Sequence, residues 1–327
     1  MNAAARPFGV TRRGEPVTAY TLTNAAGMTV TVLDYGATIQ SIRLPGGLDV
    51  VLGYDTVEGY ERGDSCHGAT IGRVANRLGY ASFSLGGRTY PLAKNCGQHH
   101  LHGGVEGFHR KLWQAETGAG EVTLSRLSPD GEEGYPGDLA VSVTFRLTED
   151  NALHLGYWAQ SDRDTLVNLT NHSFFNLAGG GSALGHGIQV FAERITESDG
   201  ECLPTGRLLD VAGTPFDLRA EKEVGQAMPA GGFDHNFVLS GRRAAVLRCR
   251  ETGLAMEVET TMPGMQLYTA NHLTGEPGKG GAPMERWGAV CLETQLFPDG
   301  MRHHGFPSPV LRAGEEMRSE TVFRFTG

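Results

Sequence analysis

Hydrophobic and polar residues alternate with a period of two along much of the chain, a pattern that predicts β-strands. Segments 28–44, 121–128, 139–161 and 244–261 follow this pattern. The third contains the turn sequence TEDN and the fourth contains ETG, so each predicts a hairpin. A cluster of turn-forming residues, SPDGEEGYPGD at 128–138, separates two predicted strands.

Helical periodicity is scarce. Only segment 218–228 has a spacing that predicts a helix, of about three turns. The absence of a fixed-period repeat disfavours a propeller, and no linker or change in composition marks a boundary. Many short strands in 327 residues therefore predict an all-β fold. We expect a single domain, residues 1–327, forming a large antiparallel β-sandwich with few short helices; a closed barrel is the alternative.

Composition narrows the function classes. Glycine, at 47 of 327 residues, has about twice its usual ~7% share, as expected for a chain rich in turns. The formal charge is −9 and the basic residues are dispersed, which disfavours nucleic acid as a partner. No segment has the length and apolarity of a signal peptide or a membrane span, so neither secretion nor a membrane is expected.

The cysteines indicate a reducing compartment. They are odd in number, widely spaced and never arranged as CxxC, which favours free thiols over disulfides and predicts a cytoplasmic protein. The five positions are Cys66, Cys96, Cys202, Cys249 and Cys291.

The stretch LVNLTNHSFFNLAGG at 166–180 places a histidine inside a predicted strand. Residues two apart share a strand face, so His172 lies with Asn168, Thr170, Phe174 and Asn176. This face is too polar for an ordinary core and predicts the lining of a wet pocket. A histidine that is hydrogen-bonded in a polar seam is the structural alternative.

A second candidate is Glu293 in AVCLETQLFPDG at 289–300, whose face also carries Cys291 and Gln295. A carboxylate opposite His172 would complete an acid–base pair able to move two protons. The alternative is a solvent-facing glutamate on an ordinary strand.

The histidine-rich segment 95–113 supports a competing hypothesis. His100, His102 and Glu106 have an HxHx3E spacing that resembles part of the cupin metal motif. Trp113 stands where that motif would have glycine, and no downstream histidine ligand is evident. A glycine-rich turn with solvated histidines, or substrate binding by His102, are the alternatives.

Two further segments carry hydrogen-bonding groups. GATIGRVANRL at 68–78 has Arg73, Asn76 and Arg77 among small residues, which suits vicinal hydroxyls or a carboxylate. A structural ion pair is the alternative, and Arg73 is the candidate for it. Asp234, in GGFDHNFVLS, and Gln266, in MPGMQLYTAN, are polar residues beside apolar strands. No nucleotide-binding glycine motif is present.

Taken together, these segments resemble the aldose 1-epimerase (galactose mutarotase) family. The matching pieces run almost from end to end. In chain order they are DYGATIQSIRLP, DVVLGYDTVEGY, GATIGRVANRL, HLHGG, LVNLTNHSFFNL, FDHNFVL, MPGMQLYTAN, LETQLFPDG and FPSPVLRAGE.

The resemblance implies a galactose mutarotase-like supersandwich that binds a monosaccharide in an open cleft without a cofactor or metal. It implies that His172 is the general acid and Glu293 the general base. The substrate contacts that it implies are Asn76, Arg77, His102, Asp234 and Gln266.

On this interpretation, Glu293 takes the proton of the C1 hydroxyl while His172 protonates the ring oxygen. The ring opens, turns about C1–C2 and closes on its other face. Rival interpretations are an epimerase of a phosphorylated hexose, a non-catalytic sugar-binding module and the metalloprotein above. The preferred sugar, the choice between monomer and homodimer, and the role of the extra histidines His99 and His100 stay open at this stage.

Overall fold

A computed structural model describes residues 3–63 and 65–327, and strands form most of its regular structure. The strands are β1 (Ala4–Val10), β2 (Pro16–Thr23), β3 (Thr29–Leu33), β4 (Thr38–Arg43), β5 (Thr70–Ile71), β6 (Arg77–Leu78), β7 (Ser82–Leu85), β8 (Arg88–Pro91), β9 (His100–Leu101), β10 (Gln114–Gly118), β11 (Glu121–Ser128), β12 (Leu139–Leu147), β13 (Ala152–Ser161), β14 (Thr165–Leu166), β15 (Thr170–Asn171), β16 (Gly187–Val190), β17 (Ala192–Ser198), β18 (Pro204–Asp210), β19 (Lys222–Glu223), β20 (Asp234–Leu239), β21 (Arg243–Arg248), β22 (Ala255–Thr260), β23 (Gly264–Tyr268), β24 (Glu276–Pro277), β25 (Pro283–Met284), β26 (Cys291–Gln295), β27 (Val310–Leu311) and β28 (Glu316–Thr326).

Helices are few and short in the described part of the chain. The α-helices are α1 (Val57–Arg62) and α2 (Val224–Ala227). The 3₁₀ helices are Gly79–Ala81, Phe108–Arg110, Glu132–Gly134, Lys279–Gly281 and Gly300–Arg302. None of the helices in residues 3–63 and 65–327 has the length and apolarity needed to cross a membrane.

Three large antiparallel sheets organise the fold. The largest has nine strands in the order β10-β11-β12-β13-β28-β22-β21-β16-β19, and a second has five in the order β18-β17-β20-β23-β26. The third contains β1 to β4 in chain order. The nine-stranded sheet has free edges at β10 and β19, so the described residues form an open sandwich rather than a barrel.

The two larger sheets bury apolar side chains against each other. Met265 and Leu292 of the five-stranded sheet belong to the same buried cluster as Val258 and Phe323 of the nine-stranded sheet. Successive residues of a strand point to opposite faces, so the intervening residues of the five-stranded sheet face away from this core. That outer face is where the candidate site lies.

Most of the strand predictions are confirmed. Segments 139–161 and 244–261 form the hairpins β12–β13 and β21–β22, with turns at TEDN and ETG. Segment 28–44 forms β3 and β4, and the turn cluster at 128–138 separates β11 from β12.

Two predictions of local structure are wrong. Segment 218–228 contains only the single-turn helix α2, because residues 222–223 pair with β16 in the large sheet instead. The stretch 166–180 is not one strand. It is extended backbone that pairs briefly with several partners, among them β5 through β15, and Val51 and Val290 through Phe175.

Arg73, in the same segment as Asn76 and Arg77, has a structural role. Its side chain is buried, and it donates hydrogen bonds to the carbonyl oxygens of Ser128, Pro129, Pro136 and Gly137 and to the hydroxyls of Ser128 and Thr165. Burial lowers its pKa to about 10. The expected structural ion pair is therefore replaced by hydrogen bonds to neutral oxygens.

We predict that Arg73→Met destabilises the protein strongly, because it leaves several buried carbonyl oxygens without donors. A loss of about 3–5 kcal/mol is expected for removing one partner from such a buried charged network. Urea unfolding measures the loss. The exposed Arg6, changed to Met, is the matched control and should alter the unfolding free energy by at most about 0.5 kcal/mol. Equal stabilities of the two variants would contradict the structural role.

Candidate active site

The register of three neighbouring strands assembles one wall of the site. Gln266 on β23 lies directly opposite Asn236 of β20 on one side and Glu293 of β26 on the other. Two residues along β23, Tyr268 lies directly opposite Asp234 of β20 on one side and Cys291 of β26 on the other. Residues directly opposite, or two apart, share a face. The polar side chains of all three strands therefore lie together on the outer face.

The hydrophobic pattern of β26 fixes which residues reach this face. Leu292 points into the core, and the Thr294 hydroxyl lies 2.6 Å from the Thr321 hydroxyl of β28 in the opposite sheet. Glu293, between them, must point outward. A shift of register by one residue would bury the carboxylate in the core, so the core packing holds Glu293 at the site.

His172 reaches the same site from outside the sheet. It follows β15 directly, and its backbone is fixed by hydrogen bonds from its N–H to Ala69 O, 3.0 Å, and from Gly68 N–H to its carbonyl, 2.8 Å. Side chains around His172 still alternate between the core and the cavity, although the backbone is not a continuous strand. Leu169 and Phe175 pack in the core, and His172 points into the cavity.

His172 and Glu293 face each other. The imidazole Nε2 lies 3.6 Å from Glu293 Oε1, and both side chains are buried. The histidine ring stacks on Phe174 with centroids 5.0 Å apart, and Phe174 stacks on His67 at 4.3 Å. This column of rings restricts rotation of His172 and keeps Nε2 directed at the carboxylate.

Asn76, Arg77 and His102 line another side of the cavity. Asn76 and His102 have left-handed backbones, with φ of 60° and 52°. The Asn76 side-chain oxygen accepts from the Arg77 N–H at 2.8 Å, and the Asn76 N–H donates to His102 Nδ1 at 3.2 Å. Because Nδ1 accepts, neutral His102 carries its proton on Nε2. His102 can therefore offer a hydrogen-bond donor to a ligand.

These walls enclose a cavity of about 280 Å³, close to the lower end of the ~300–1,000 Å³ typical of small-molecule sites. Six of the seven predicted site residues line it; Gln266 lies just behind, where its amide Nε2 donates to Asp234 Oδ1 at 2.7 Å. The lining residues are Ser65, Cys66, Asn76, Arg77, Leu101, His102, His172, Phe174, Asp234, Tyr268, His272 and Glu293.

Three larger cavities among the described residues lack both His172 and Glu293, and two of them are about twice the volume of the site. One, of about 570 Å³, lies beside Lys279 and Asp49, which are joined by an ion pair of 2.9 Å. The other, of about 610 Å³, adjoins the candidate site through Ser65 and His272. We place the active site by its chemistry rather than by its volume.

Burial shifts the pKa values of Glu293 and His172 so that the uncharged form of each side chain is favoured. Desolvation, reinforced by the negative charge of Asp234, raises the pKa of Glu293 well above its ordinary value. Desolvation lowers the pKa of His172 to about 4, although Asp234 opposes this shift. In the free protein, burial therefore favours a protonated carboxyl beside a neutral imidazole over a carboxylate beside an imidazolium.

The cupin-like metal hypothesis fails on geometry. Within residues 3–63 and 65–327, the one group of three potential ligands with atoms inside 4.8 Å is His102, His172 and Glu293, not the HxHx3E set. Its donor chemistry does not suit a metal either. His102 Nδ1 is occupied by a backbone N–H, which fixes the proton on the Nε2 atom that a metal would need.

The extra histidines of the 95–102 loop lie outside the cavity and are buried rather than solvated. His99 accepts from the Tyr80 N–H at 3.1 Å, and His100 Nδ1 lies 2.8 Å from Ala93 O. Both have structural contacts that the sequence spacing does not reveal.

Sequence reasoning did not assign several cavity residues to the site. The two-residue spacing in MPGMQLYTAN predicts that Tyr268 shares a strand face with Gln266, but Tyr268 was not among the expected substrate contacts, although it lines the cavity. Ser65, Cys66 and His272 lie in loops, whose proximity to the site depends on contacts distant in sequence.

Comparison with known proteins gives a consistent result. The sequence pattern of the aldose 1-epimerase family matches residues 18–324. The chain is 43% identical over 311 residues to galactose mutarotase of Bos taurus, covering 91% of each protein. It is 36% identical over 332 aligned positions to aldose 1-epimerase of Escherichia coli, covering 95% of this chain and 96% of that one.

Solved structures agree with the sequence comparison. An aldose epimerase homologue from C. elegans has a TM-score of 0.90 and 28% identity, covering 94% of this chain and 98% of the other. Galactose 1-epimerase from Lactobacillus acidophilus has a TM-score of 0.88 and 29% identity, covering 99% of both chains. The supersandwich fold expected from the sequence is confirmed.

We predict that Glu293→Gln stabilises the protein as the pH rises. The folded-state pKa of Glu293 lies above the unfolded value of 4.5, so its contribution to stability is lost as the pH rises from that value toward the folded pKa. Each unit of pKa elevation corresponds to about 1.4 kcal/mol. The variant should therefore exceed the parent in Tm by a few degrees, roughly 2–4 °C per kcal/mol, at pH 7.5.

Thermal unfolding at pH 4.5 and 7.5 measures this effect, and the difference in Tm should shrink at the lower pH. The exposed Glu315, changed to Gln, is the control and should show no such dependence. A glutamine variant that is less stable than the parent at pH 7.5 would show that the ionised carboxylate stabilises the fold.

Proposed function

The chain belongs to the aldose 1-epimerase family, and we propose that it is a mutarotase that interconverts the α and β anomers of free aldohexoses such as galactose and glucose. The observation that carries this proposal is the facing of His172 Nε2 and Glu293 Oε1, 3.6 Å apart, in a cavity of about 280 Å³. Such a pair can deprotonate one oxygen of a small sugar while protonating another.

The proposed substrate contacts surround the pair with complementary groups. His102 supplies an Nε2–H donor, and Arg77 Nε is a buried donor without a partner among the described residues. Asp234 supplies carboxylate oxygens, and Gln266 orients that carboxylate through its 2.7 Å hydrogen bond. Asn76 completes the loop side of the cavity. Hydroxyl groups both donate and accept, so this mixture suits a sugar.

The reaction begins from the tautomer in which the shared proton lies on His172. Moving that proton from Glu293 to His172 changes no net charge, and Asp234 favours the imidazolium that results. Ionised Glu293 then removes the proton from the C1 hydroxyl, while His172 donates its proton to the ring oxygen as the C1–O5 bond breaks. No cofactor takes part in this scheme.

The open-chain aldehyde turns about its C1–C2 bond and presents its other face. Neutral His172 now takes the proton of the C5 hydroxyl as O5 attacks C1, and Glu293 returns its proton to O1. The pair thus ends in its starting protonation state, which allows the same site to catalyse both directions.

The charge of the cavity favours a free sugar over a phosphorylated one. Among the twelve lining residues, Arg77 is the one permanent cation, and it shares the lining with the carboxyl groups of Asp234 and Glu293. A phosphoryl group needs a concentration of positive charge. Arg73, the second cation in the same sequence segment, donates its hydrogen bonds to buried backbone carbonyl oxygens and does not line the cavity.

We further propose that the protein acts in the cytoplasm. All five cysteines are free thiols, as expected for a reducing compartment. A single domain working as a monomer or a homodimer is compatible with this scheme, because one chain supplies every proposed catalytic and binding residue.

We predict that His172→Gln and Glu293→Gln each lower kcat by about 10²–10⁴-fold, because each removes one proton transfer. Polarimetry of freshly dissolved α-galactose and α-glucose measures the approach to the final rotation. His154→Gln, on the distant strand β13, is the control and should retain activity. The double variant should lose little more than either single variant, because the two groups act as a unit.

The same experiment separates the rival functions. Glucose 6-phosphate turned over faster than glucose would favour the phosphorylated substrate. Sugar binding with no acceleration by the intact protein would favour a binding module.

We predict a broad pH profile for kcat/KM. The active state holds one proton on the pair, so activity should fall as His172 gains a second proton below about pH 4. It should fall on the alkaline side only where Glu293 loses its proton, well above the ordinary value of 4.5. Initial rates measured across buffers test this profile, and an alkaline limb near pH 4.5, the ordinary pKa of a glutamate, would contradict it.

A further inference from the structure

Two buried amides lie behind the acid–base pair without any role in the scheme above. Asn236 is 2% exposed and Gln295 is fully buried, yet no amide oxygen or nitrogen of either bonds to a described residue. Buried polar groups are normally paired, and an unpaired one is costly. Two unpaired amides so close to the site require a functional explanation.

The strand register places both amides on the same sheet face as Glu293. Gln295 follows Glu293 by two residues on β26 and therefore shares its face. Asn236 lies in the same cross-strand row as Glu293, with Gln266 between them. All three side chains thus belong to one polar patch on the outer face of the sheet.

A glycine brings the two amides together. Gly264 is the cross-strand partner of Gln295, and a Cβ at Gly264 would lie only 2.7 Å from Asn236 Oδ1. The Asn236 amide therefore extends over Gly264 toward Gln295, into space that any side chain there would fill. The Phe297 ring, 2.9 Å from the same position, closes the far end.

The patch has complementary but unlinked groups. Glu293 Oε2 and Gln266 Oε1 are buried acceptors without partners, and the Asn236 and Gln295 amides provide donors. None of these atoms makes a hydrogen bond to a described residue, so a bridging molecule can satisfy them together. Water is the bridge that suits a polar, enclosed space with several partners of both kinds.

We propose that Asn236 and Gln295 are positioning residues that act on Glu293 Oε2 through one or two buried water molecules. This inference rests on the proposed mutarotase function. Donors directed at the carboxylate through water stabilise its ionised form, which is the form that accepts the C1 proton. Asn236 and Gln295 would thus keep Glu293 ionised, the state in which it acts as the base, although burial in the cavity opposes ionisation.

Asn236→Leu and Gln295→Met test the proposal, because they remove the amides with little change in volume. We expect kcat on the pH plateau to fall about tenfold, KM to change less than about twofold, and the alkaline limb to move upward by about half to one pH unit. The limb moves because a carboxylate that loses donors holds its proton more tightly. Asn236→Ser, which can still bond to water, should recover most of the activity.

Asn24→Leu is the matched control for losing a buried asparagine. Asn24 bonds to Thr148 O and Asn151 Oδ1, far from the site, so its loss should lower stability without moving the pH profile. Loss of activity in the Asn236 and Gln295 variants with an unmoved alkaline limb would overturn the positioning role. A parent protein without mutarotase activity would instead refute the proposed function itself.

A high-resolution crystal structure of the unaltered protein provides a readout that does not depend on the folding of the variants. We expect an ordered water within hydrogen-bond distance of Glu293 Oε2 and of at least one of the two amides. Amides bonded directly to each other, with no water reaching Glu293, would overturn the proposal.

Discussion

The pairing of Gln266 with Asn236 on one side and with Glu293 on the other sets the geometry on which the rest of the site depends. In each of these three strands, alternate side chains face the core and the intervening ones face the candidate site. The residues that alternate with the row pack against the nine-stranded sheet, so the register cannot slip without exposing the core. The same strand register therefore fixes both the core packing of the sandwich and the position of Glu293, the proposed base.

This constraint brings a carboxyl group and an imidazole into a place where neither is readily charged. Burial opposes the ionisation of Glu293 and the protonation of His172, and Asp234 pushes both pKa values upward. In the proposed scheme, the pair resolves this conflict by holding a single proton. Its two tautomers have equal net charge, so a sugar that favours one of them can switch the pair from its resting to its reactive form. The polar patch of Asn236 and Gln295 would bias the same equilibrium.

Much of this architecture could be predicted from the sequence, because period-two alternation and turn residues are local signals. The hairpins at 139–161 and 244–261 follow from them directly. Segment 218–228 misled the same reasoning, because pairing with β16 overrides a weak helical preference. Around His172 the side chains alternate as predicted, but no continuous strand forms, because the backbone pairs with segments that are scattered along the chain.

The chemistry of the site was harder to predict. Resemblance to a family named the acid, the base and the substrate contacts, and the structure brings those residues together. It could not reveal the tautomer of His102, which depends on a backbone N–H from residue 76. Nor could it give the direction of the pKa shifts, which come from burial by distant segments. The HxHx3E spacing was misleading because His100 turns away toward Ala93.

Direct titration of His172 by NMR, with labelled imidazole nitrogens and with His172→Gln to assign the signal, tests the shared-proton account most directly. The account predicts a neutral imidazole in the free protein throughout neutral pH, with a second proton added only near pH 4. An imidazolium at neutral pH in the free protein, beside an ionised Glu293, would contradict it.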